Sequence, residues 1–503
     1  MVKLTKNLLI QNPDLIQGNA EALFQLPEKV LQFGTGVLLR GLPDFIIDKA
    51  NKAGVFNGRI VVVKSTSQGG TDAFAEQDNL YTVAVRGIVQ SETVEENVIN
   101  TSISRVLAAS SQWNEILAVA ESEALEVVIS NTTEVGIVLE KENVLTGVPR
   151  SFPGKLLAIL YKRFQKFEGD ESKGLVIIPT ELISDNGDKL KAIVLELAKF
   201  NDFEEEFVSW LTNHNSFCNS LVDRIVPGAP KGEVANEINQ ELSYTDELLI
   251  MSEPYALWAI SGDDKVKEKL SFVQVNAGAF VEPDITKFKE LKLRLLNGTH
   301  TLTCGLAYLG GFSTVKEAMA DDDFSQFLTE LMFKEVGPSI PYTLTTEERE
   351  EFGKQVVDRF KNPFIEHFWI NITLNYTQKI EMRIVSLLTE YYKANQAVPK
   401  YMAAGLAAYI LFMKPQELNE DKVYGNFNGT SYLIQDIQGA TFETLYKSSD
   451  STQDLVSKVL GNTDFWGTDL SELSGLTEAV SRNLDTLNSQ GARYLIKEVI
   501  NHG

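Results

Sequence analysis

Apolar positions in this chain follow two different periods, and the change falls near residue 280. In the first part they come as short unbroken runs: Lys29-Val-Leu-Gln-Phe33, Arg59-Ile-Val-Val-Val63, Glu126-Val-Val-Ile-Ser130 and Gly174-Leu-Val-Ile-Ile-Pro179, with a last strand-like run at Ser271-Phe-Val-Gln-Val275. Runs this short and this rich in β-branched residues fit strands of a parallel sheet buried on both faces. After Pro283 the apolar residues recur every three or four positions instead. That spacing predicts helices near 286–308, 314–335, 346–361, 376–396 and 399–413, with more from 453 onward. Thr345-Thr-Glu-Glu348 is a capping-box start, and Gly310-Gly311, Pro338, Pro341 and Pro363 punctuate the helices. The expected fold is α/β: a parallel-sheet domain over residues 1–280, then a mostly α-helical domain over 281–503, with a ligand cleft between them.

Gly34-Thr-Gly-Val-Leu-Leu-Arg40 directly follows the first run, and an amphipathic helix continues through Phe45, Ile46, Ile47 and Ala50. Strand, glycine turn, helix is the setting of a Rossmann-like dinucleotide site. Gly34 permits the tight turn, and Gly36 lets backbone N–H groups approach a pyrophosphate. Leu39 stands where the fingerprint's third glycine belongs, so the motif alone is equally an ordinary strand–helix turn. Arg40, one turn on, either reaches phosphate or is solvated. The second run ends in Lys64-Ser65-Thr66-Ser67, where an NAD site usually carries an acid for the ribose. A lysine there tolerates a 2′-phosphate, so the residues leave NADH and NADPH both open. Polar groups also gather after the next two runs, at Asn131-Thr-Thr-Glu134 and at Thr180-Glu181 with Ser184-Asp-Asn-Gly187. Groups beyond the C-terminal ends of strands mark the ligand edge of an open sheet, although turns favour the same residue types.

Composition removes several partners. The chain has 503 residues, more than one core usually organises, and a net charge of 46 − 69 = −23. Such a surface repels nucleic acid and anionic lipid, so neither is an expected partner. An acidic substrate would need a local cluster of Lys or Arg to overcome this field. The two cysteines, Cys218 and Cys304, form no CxxC, which points away from a disulfide framework or a structural zinc site and suits a reducing cytoplasm. The first residues show no apolar segment with a cleavage site, and no apolar run approaches the roughly 18 residues of a membrane span.

Candidate chemistry sits in Glu290-Leu-Lys-Leu-Arg-Leu-Leu-Asn-Gly-Thr-His300. On an ideal α-helix Lys292, Asn297 and His300 fall at about 0°, 140° and 80°, one broad face. An amine there can take or give a proton, while an amide and an imidazole hold an alcohol or ketone oxygen. The bland alternative is a solvated lysine, a capping asparagine and a core histidine. A second polar patch runs from Arg359-Phe-Lys-Asn-Pro363 through His367 to Asn375-Tyr-Thr-Gln-Lys379 and Arg383. Lys379 and Arg383 are i, i+4, so one helix face carries two cations. These either meet an anionic sugar acid or pair with Glu381 or Glu390 at the surface.

Together these pieces resemble the mannitol dehydrogenase family, the polyol-specific long-chain dehydrogenases, over nearly the whole chain. Lys292-x4-Asn297-x2-His300 looks like its active-site motif and Phe33-Gly34-Thr35-Gly36 with Arg40 like its cofactor turn. Gln77-Asp-Asn-Leu-Tyr-Thr82, Leu221-Val-Asp-Arg-Ile225 and Arg359-Phe-Lys-Asn-Pro363 match further signatures. Ser130-Asn-Thr-Thr-Glu134, Ile178-Pro-Thr-Glu-Leu-Ile183, Asn215-Ser-Phe-Cys218 and Leu296-Asn-Gly-Thr-His300 resemble a branch acting on hexuronic acids. The resemblance implies a metal-independent NAD(H) enzyme that interconverts D-tagaturonate and D-altronate. It implies Lys292 as general acid/base, Asn297 as donor to the forming alkoxide and His300 as a substrate-hydroxyl ligand. A second family asparagine follows the fourth run. Mannitol dehydrogenases have Asp-Asn where this chain has Glu181-Leu182, which leaves Asn186 as the candidate. Lys64, Ser65, Asn131, Thr132 and Glu134 complete the expected cofactor contacts, and Glu181, Asn362, His367, Lys379 and Arg383 the substrate contacts. A sister activity on fructuronate, or on a polyol phosphate, differs only in stereochemistry or charged group. A non-catalytic NAD(H) sensor would keep the glycine turn but has no need of Lys292, Asn297 and His300 on one face.

Overall fold

The computed structural model describes residues 2–65, 71–132, 135–419 and 422–501. The chain forms two compact units, Met1–Gly87 with Thr93–Ile285, and Ile88–Glu92 with Thr286–Gly503.

The first unit is built on six strands: β1 Glu28–Phe33, β2 Arg59–Lys64, β3 Ile103–Ala108, β4 Val127–Ser130, β5 Val176–Pro179 and β6 Ser216–Phe217. Their order is β3-β2-β1-β4-β5-β6, every neighbouring pair is parallel, and the order reverses between β1 and β4. This is the strand order of a dinucleotide-binding doubly wound sheet. The unbroken apolar runs arise because both faces are covered. Val30, Ile60, Val62, Val127 and Ile129 face one core with Leu39, Leu42, Ile46 and Ile47. Leu31, Phe33, Val61, Val63 and Val128 face the other, with Leu156, Ile159, Leu190 and Val194.

Two sequence expectations need correction here. The helix after the glycine turn is two helices, α1 Val37–Gly41 and α2 Pro43–Lys52. Pro43 has no N–H to continue α1 and disfavours helical backbone in the residue before it, and Leu42 accordingly sits at φ −128°, ψ −76°. Ser271–Val275 is a 3-10 helix and not a strand. It buries Phe272 and Val273, and Phe272 stacks on Trp258 at 5.3 Å and meets Phe56 at 5.2 Å. So short a run does not distinguish the two. Opposite the α1–α2 side, the sheet is covered by α3 Phe152–Lys166 and α4 Asn186–Phe200.

The second unit is mostly helical. Three consecutive pieces, Thr286–Leu291, Lys292–Gly298 and Thr299–Leu309, form one helix, α5, whose middle piece is a π-helix. Around it lie α6 Thr346–Phe360, α7 Tyr376–Ala394 and α8 Lys400–Phe412. Almost every side chain of α8 is buried, as expected for a helix apolar all round. The expectation that strands end with the first unit fails. Glu417–Asn419, Lys422–Phe427 and Thr430–Leu433 form an antiparallel sheet whose last turn is Asn428-Gly429, both at positive φ. No helix among the described residues is long and apolar enough to cross a membrane.

Candidate active site

Gly34 is the first fixed point. Its φ is +127°, and an added Cβ would lie 2.8 Å from the Leu39 side chain and 3.0 Å from the Asn131 carbonyl oxygen. Only glycine meets both demands. Its N–H donates to the Val63 carbonyl at 3.0 Å, and the Asn131 N–H donates to the Phe33 carbonyl at 3.0 Å. The turn therefore sits where the strand order reverses, the ligand edge of such a sheet. At Gly36 a Cβ would meet nothing within 4 Å, and α1 begins there without a side-chain cap. Open space above bare N–H groups fits a diphosphate. At the end of β2, Lys64 is buried and the Ser65 hydroxyl is buried with no partner among the described residues, which fits a ribose hydroxyl. Thr35, half-exposed, lies between the two glycines.

Arg40 is turned inward. Its Nη1 donates to the Leu248 carbonyl at 2.7 Å, and its guanidinium lies over the rings of Phe74 and Tyr81 at 5.8 and 5.4 Å. Burial lowers its pKa from the ordinary arginine value. Beneath the turn, Gln32 Nε2 reaches both the Gly34 carbonyl and the Asp44 carboxyl. Asp44 is fully buried, and burial pushes its pKa up to about 7.

The strand ends beyond β4 and β5 form one hydrogen-bonded cluster. Asn131 Nδ2 donates to the Thr180 hydroxyl at 2.9 Å. The Glu181 carboxylate accepts from the Thr132 N–H at 2.8 Å, the Thr132 hydroxyl at 2.9 Å and the Ser130 hydroxyl at 3.1 Å. Burial raises the Glu181 pKa, with those donors opposing it. Glu181, expected to meet substrate, thus has its carboxylate committed to its own unit. Asn186 requires a clearer correction. It is fully buried, its Nδ2 serves the carbonyls of Pro179, Glu181 and Ser220 at 3.0, 3.0 and 3.1 Å, and its Oδ1 accepts from the Ser220 N–H at 2.9 Å. An amide with two hydrogens already shared among three carbonyls has none for an alkoxide. Asn186 braces the β5 loop and leaves the catalytic set. Glu134 lies outside the described residues.

In the second unit Lys292 opens the π-helical piece and Asn297 lies near its end, both half-buried. The Thr299 N–H reaches back to the Arg294 carbonyl, the i→i+5 bond that defines the wide turn. Residues five apart stand about 140° apart around an α-helix. In an i→i+5 turn they stand one above the other. The wide turn thus brings the amine and the amide closer in angle than the sequence spacing implied. Arg294 anchors it, donating to Glu290 at 3.0 Å and to the carbonyls of Met382 and Arg383 at 2.9 and 2.8 Å.

His300 is buried face to face on Phe360, centroids 4.0 Å apart, with His367 and Trp369 edge-on at 5.3 and 5.7 Å. Burial, then His367, Arg359, Arg383 and Lys379, hold its pKa well below the usual histidine value. It is therefore a neutral imidazole, and its Nε2 has no partner among the described residues. A buried, unsatisfied ring nitrogen is what a substrate hydroxyl would complete. His367 is also lowered, by burial, Arg359 and Lys379. Lys379 donates to the Ile372 carbonyl at 2.7 Å and Arg383 to the Thr301 hydroxyl at 3.0 Å. Neither pairs with a carboxylate among the described residues, and Glu390 pairs with Lys393 instead. Burial lowers both pKa values, with Arg383 adding to the effect on Lys379. Asn362 is buried nearby in sequence, its Oδ1 accepting from the Phe364 N–H at 3.0 Å. The sequence places Arg359 at the head of the second polar patch without a role of its own. It is buried and acts on both imidazoles, and its signal was a cation beside a proline-stopped helix end. Among the described residues no group of three or more His, Cys, Asp or Glu side chains is placed to hold a metal ion.

The Mannitol dehydrogenase Rossmann domain family matches residues 28–274, and the Mannitol dehydrogenase C-terminal domain family matches 284–488. The Altronate oxidoreductase of Halalkalibacterium halodurans is 39% identical over 486 residues, covering 95% of this chain and 94% of that protein. The Altronate oxidoreductase of Bacillus subtilis is 36% identical over 477 residues, covering 94% and 95%. Two solved structures share the fold: a D-sorbitol dehydrogenase in substrate-free form, with TM-score 0.78, 18% identity and coverage of 99% and 100%, and Pseudomonas fluorescens mannitol 2-dehydrogenase with NAD and D-mannitol, with TM-score 0.67, 21% identity and full coverage of both chains, 100% and 100%.

Proposed function

The chain belongs to the mannitol dehydrogenase family, and on that premise we propose that it catalyses the reversible, NADH-dependent reduction of D-tagaturonate to D-altronate. Residues 1–280 bind the dinucleotide and 281–503 act on the sugar acid. A bound nicotinamide supplies the hydride, passing from NADH to NAD as the ketone carbon is reduced. Lys292 gives the ketone oxygen its proton, and takes one from the alcohol in the reverse direction. Asn297 donates to that oxygen as negative charge builds on it. Neutral His300 bonds a substrate hydroxyl through its open Nε2. Lys379 and Arg383, with Arg359 beside them, hold the substrate carboxylate. The Gly34–Gly36 turn receives the diphosphate, and Ser65 the ribose. The cysteines are free and buried, which suits a reducing cytoplasm.

The observation that carries the reading is the cationic pair without a carboxylate partner among the described residues, set beside a buried neutral histidine. On a chain of net charge −23 an anionic substrate needs such a local cluster, and Asp436 acts on Lys379 only electrostatically, without an ion pair among the described residues. The test is oxidation of NADH and of NADPH, each with tagaturonate, fructuronate and fructose. The highest kcat/KM belongs to NADH with tagaturonate. Faster turnover of fructuronate transfers the reading to the sister activity. Equal turnover of fructose removes the carboxylate from it.

A further inference from the structure

The wide turn carrying Lys292 and Asn297 is tied down at one carbonyl. The Asn297 carbonyl accepts the Thr301 hydroxyl at 2.8 Å and Arg383 Nη1 at 3.4 Å. The Thr301 oxygen in turn accepts from the same Nη1 at 3.0 Å. A threonine hydroxyl donating to the carbonyl four residues back is ordinary in helices. Thr303 supplies that ordinary case on the same helix, donating to the Thr299 carbonyl at 2.8 Å and equally buried. The Thr303 hydroxyl otherwise reaches only the His300 carbonyl of its own helix, at 3.5 Å, whereas Thr301 has a partner on another helix. Its hydrogen goes to the backbone of the wide turn, and its lone pair takes an N–H from α7, 82 residues away. Arg294 makes the reciprocal tie from within the turn to the α7 backbone. An i→i+5 turn is rare, and these bonds brace it on both sides.

We propose that Thr301 is a positioning residue. Its hydroxyl links the Asn297 carbonyl to the Arg383 guanidinium and so holds the register in which Lys292 and Asn297 stand one above the other. This rests on the reading of Lys292 as proton donor and Asn297 as alkoxide support. Without the tie the turn relaxes toward i→i+4 bonding, and the amine and amide swing apart around the axis. The loss falls on the transition state, so it appears in kcat and leaves cofactor binding alone.

The experiment compares Thr301→Val, Thr301→Ser and Thr303→Val in the full chain, with steady-state kinetics on tagaturonate and NADH affinity from nicotinamide fluorescence. Thr301→Val lowers kcat by about tenfold or more, as expected of a small displacement of reacting groups, with NADH affinity unchanged. Thr301→Ser restores kcat, and Thr303→Val stays near the parent. Should the valine variant fail to fold, Thr301→Ala removes the same hydroxyl without placing a methyl against Arg383. Parental kcat in the valine or alanine variant overturns the proposal. So does a serine variant that fails to recover, or a Thr303→Val loss equal to that of Thr301→Val. Lys292→Ala, run alongside, separates the two claims. If it keeps turnover, the reading of Lys292 itself falls. If it is inactive while Thr301→Val is not, only the positioning role falls.

Discussion

Asn186 in the first unit and His300 in the second are both polar and buried, yet their surroundings differ in kind. The Asn186 amide serves three carbonyls and accepts a backbone N–H. The His300 Nε2 has no partner among the described residues, and cations and a second imidazole surround the ring. The same contrast separates Glu181, whose carboxylate takes three donors, from Lys379 and Arg383, which form no ion pair among the described residues, Asp436 acting on Lys379 only electrostatically. The polar groups at the ends of β4 and β5 are saturated and hold the scaffold. The His300 ring nitrogen on α5 is left incomplete, and an incomplete buried group is costly unless a ligand finishes it.

Variants on the two sides therefore fail differently. The largest effect is Lys292→Ala, which loses at least about a hundredfold in turnover, the low end for a general acid/base, and still binds NADH by fluorescence titration. Parental turnover there breaks the comparison outright. Asn186→Ala orphans buried backbone groups and costs about 1–3 kcal/mol of stability in urea unfolding, with kcat per folded molecule unchanged. A kcat collapse at intact stability would return Asn186 to the catalytic set. Lys379→Met raises KM for tagaturonate by about tenfold, the scale of one charge-assisted hydrogen bond, and leaves KM for fructose almost untouched. Equal rises for both ketoses take Lys379 away from the carboxylate. The fourth effect is on pH dependence. Asp44, raised to about 7 by burial, binds its proton more tightly folded than unfolded. Its stabilising contribution is therefore whole below the unfolded value of 3.8 and is lost as pH rises to about 7. Asp44→Asn removes that slope, so urea midpoints of parent and variant change relative to each other between pH 4 and about 7 and run parallel above it. Curves parallel throughout would show that Asp44 is ionised when folded.

Several features were legible from local pattern alone. The β-branched runs lie in or overlap β1, β2, β4 and β5, and Gly34 needs its positive φ for the reason a tight turn suggests. The Asn428-Gly429 hairpin was legible too, since that pair favours the two-residue turn it forms, but helical periodicity around it dominated the reading. Pro43 likewise announces the break between α1 and α2. The wide turn at Lys292 carries no such mark. Nothing in Lys-Leu-Arg-Leu-Leu-Asn-Gly distinguishes it from an α-helix, because its bracing comes from α7, which lies more than eighty residues further along the chain.

The order of amino acids by itself determined the two-part architecture, the glycine turn and the set of chemically able residues, because periodicity, backbone freedom and side-chain type are local properties. Tertiary structure alone decided which of those residues are free to act. Whether a buried amide or imidazole is satisfied depends on donors and acceptors that folding brings from elsewhere, as Ser220 comes to Asn186 and Arg383 to Thr301.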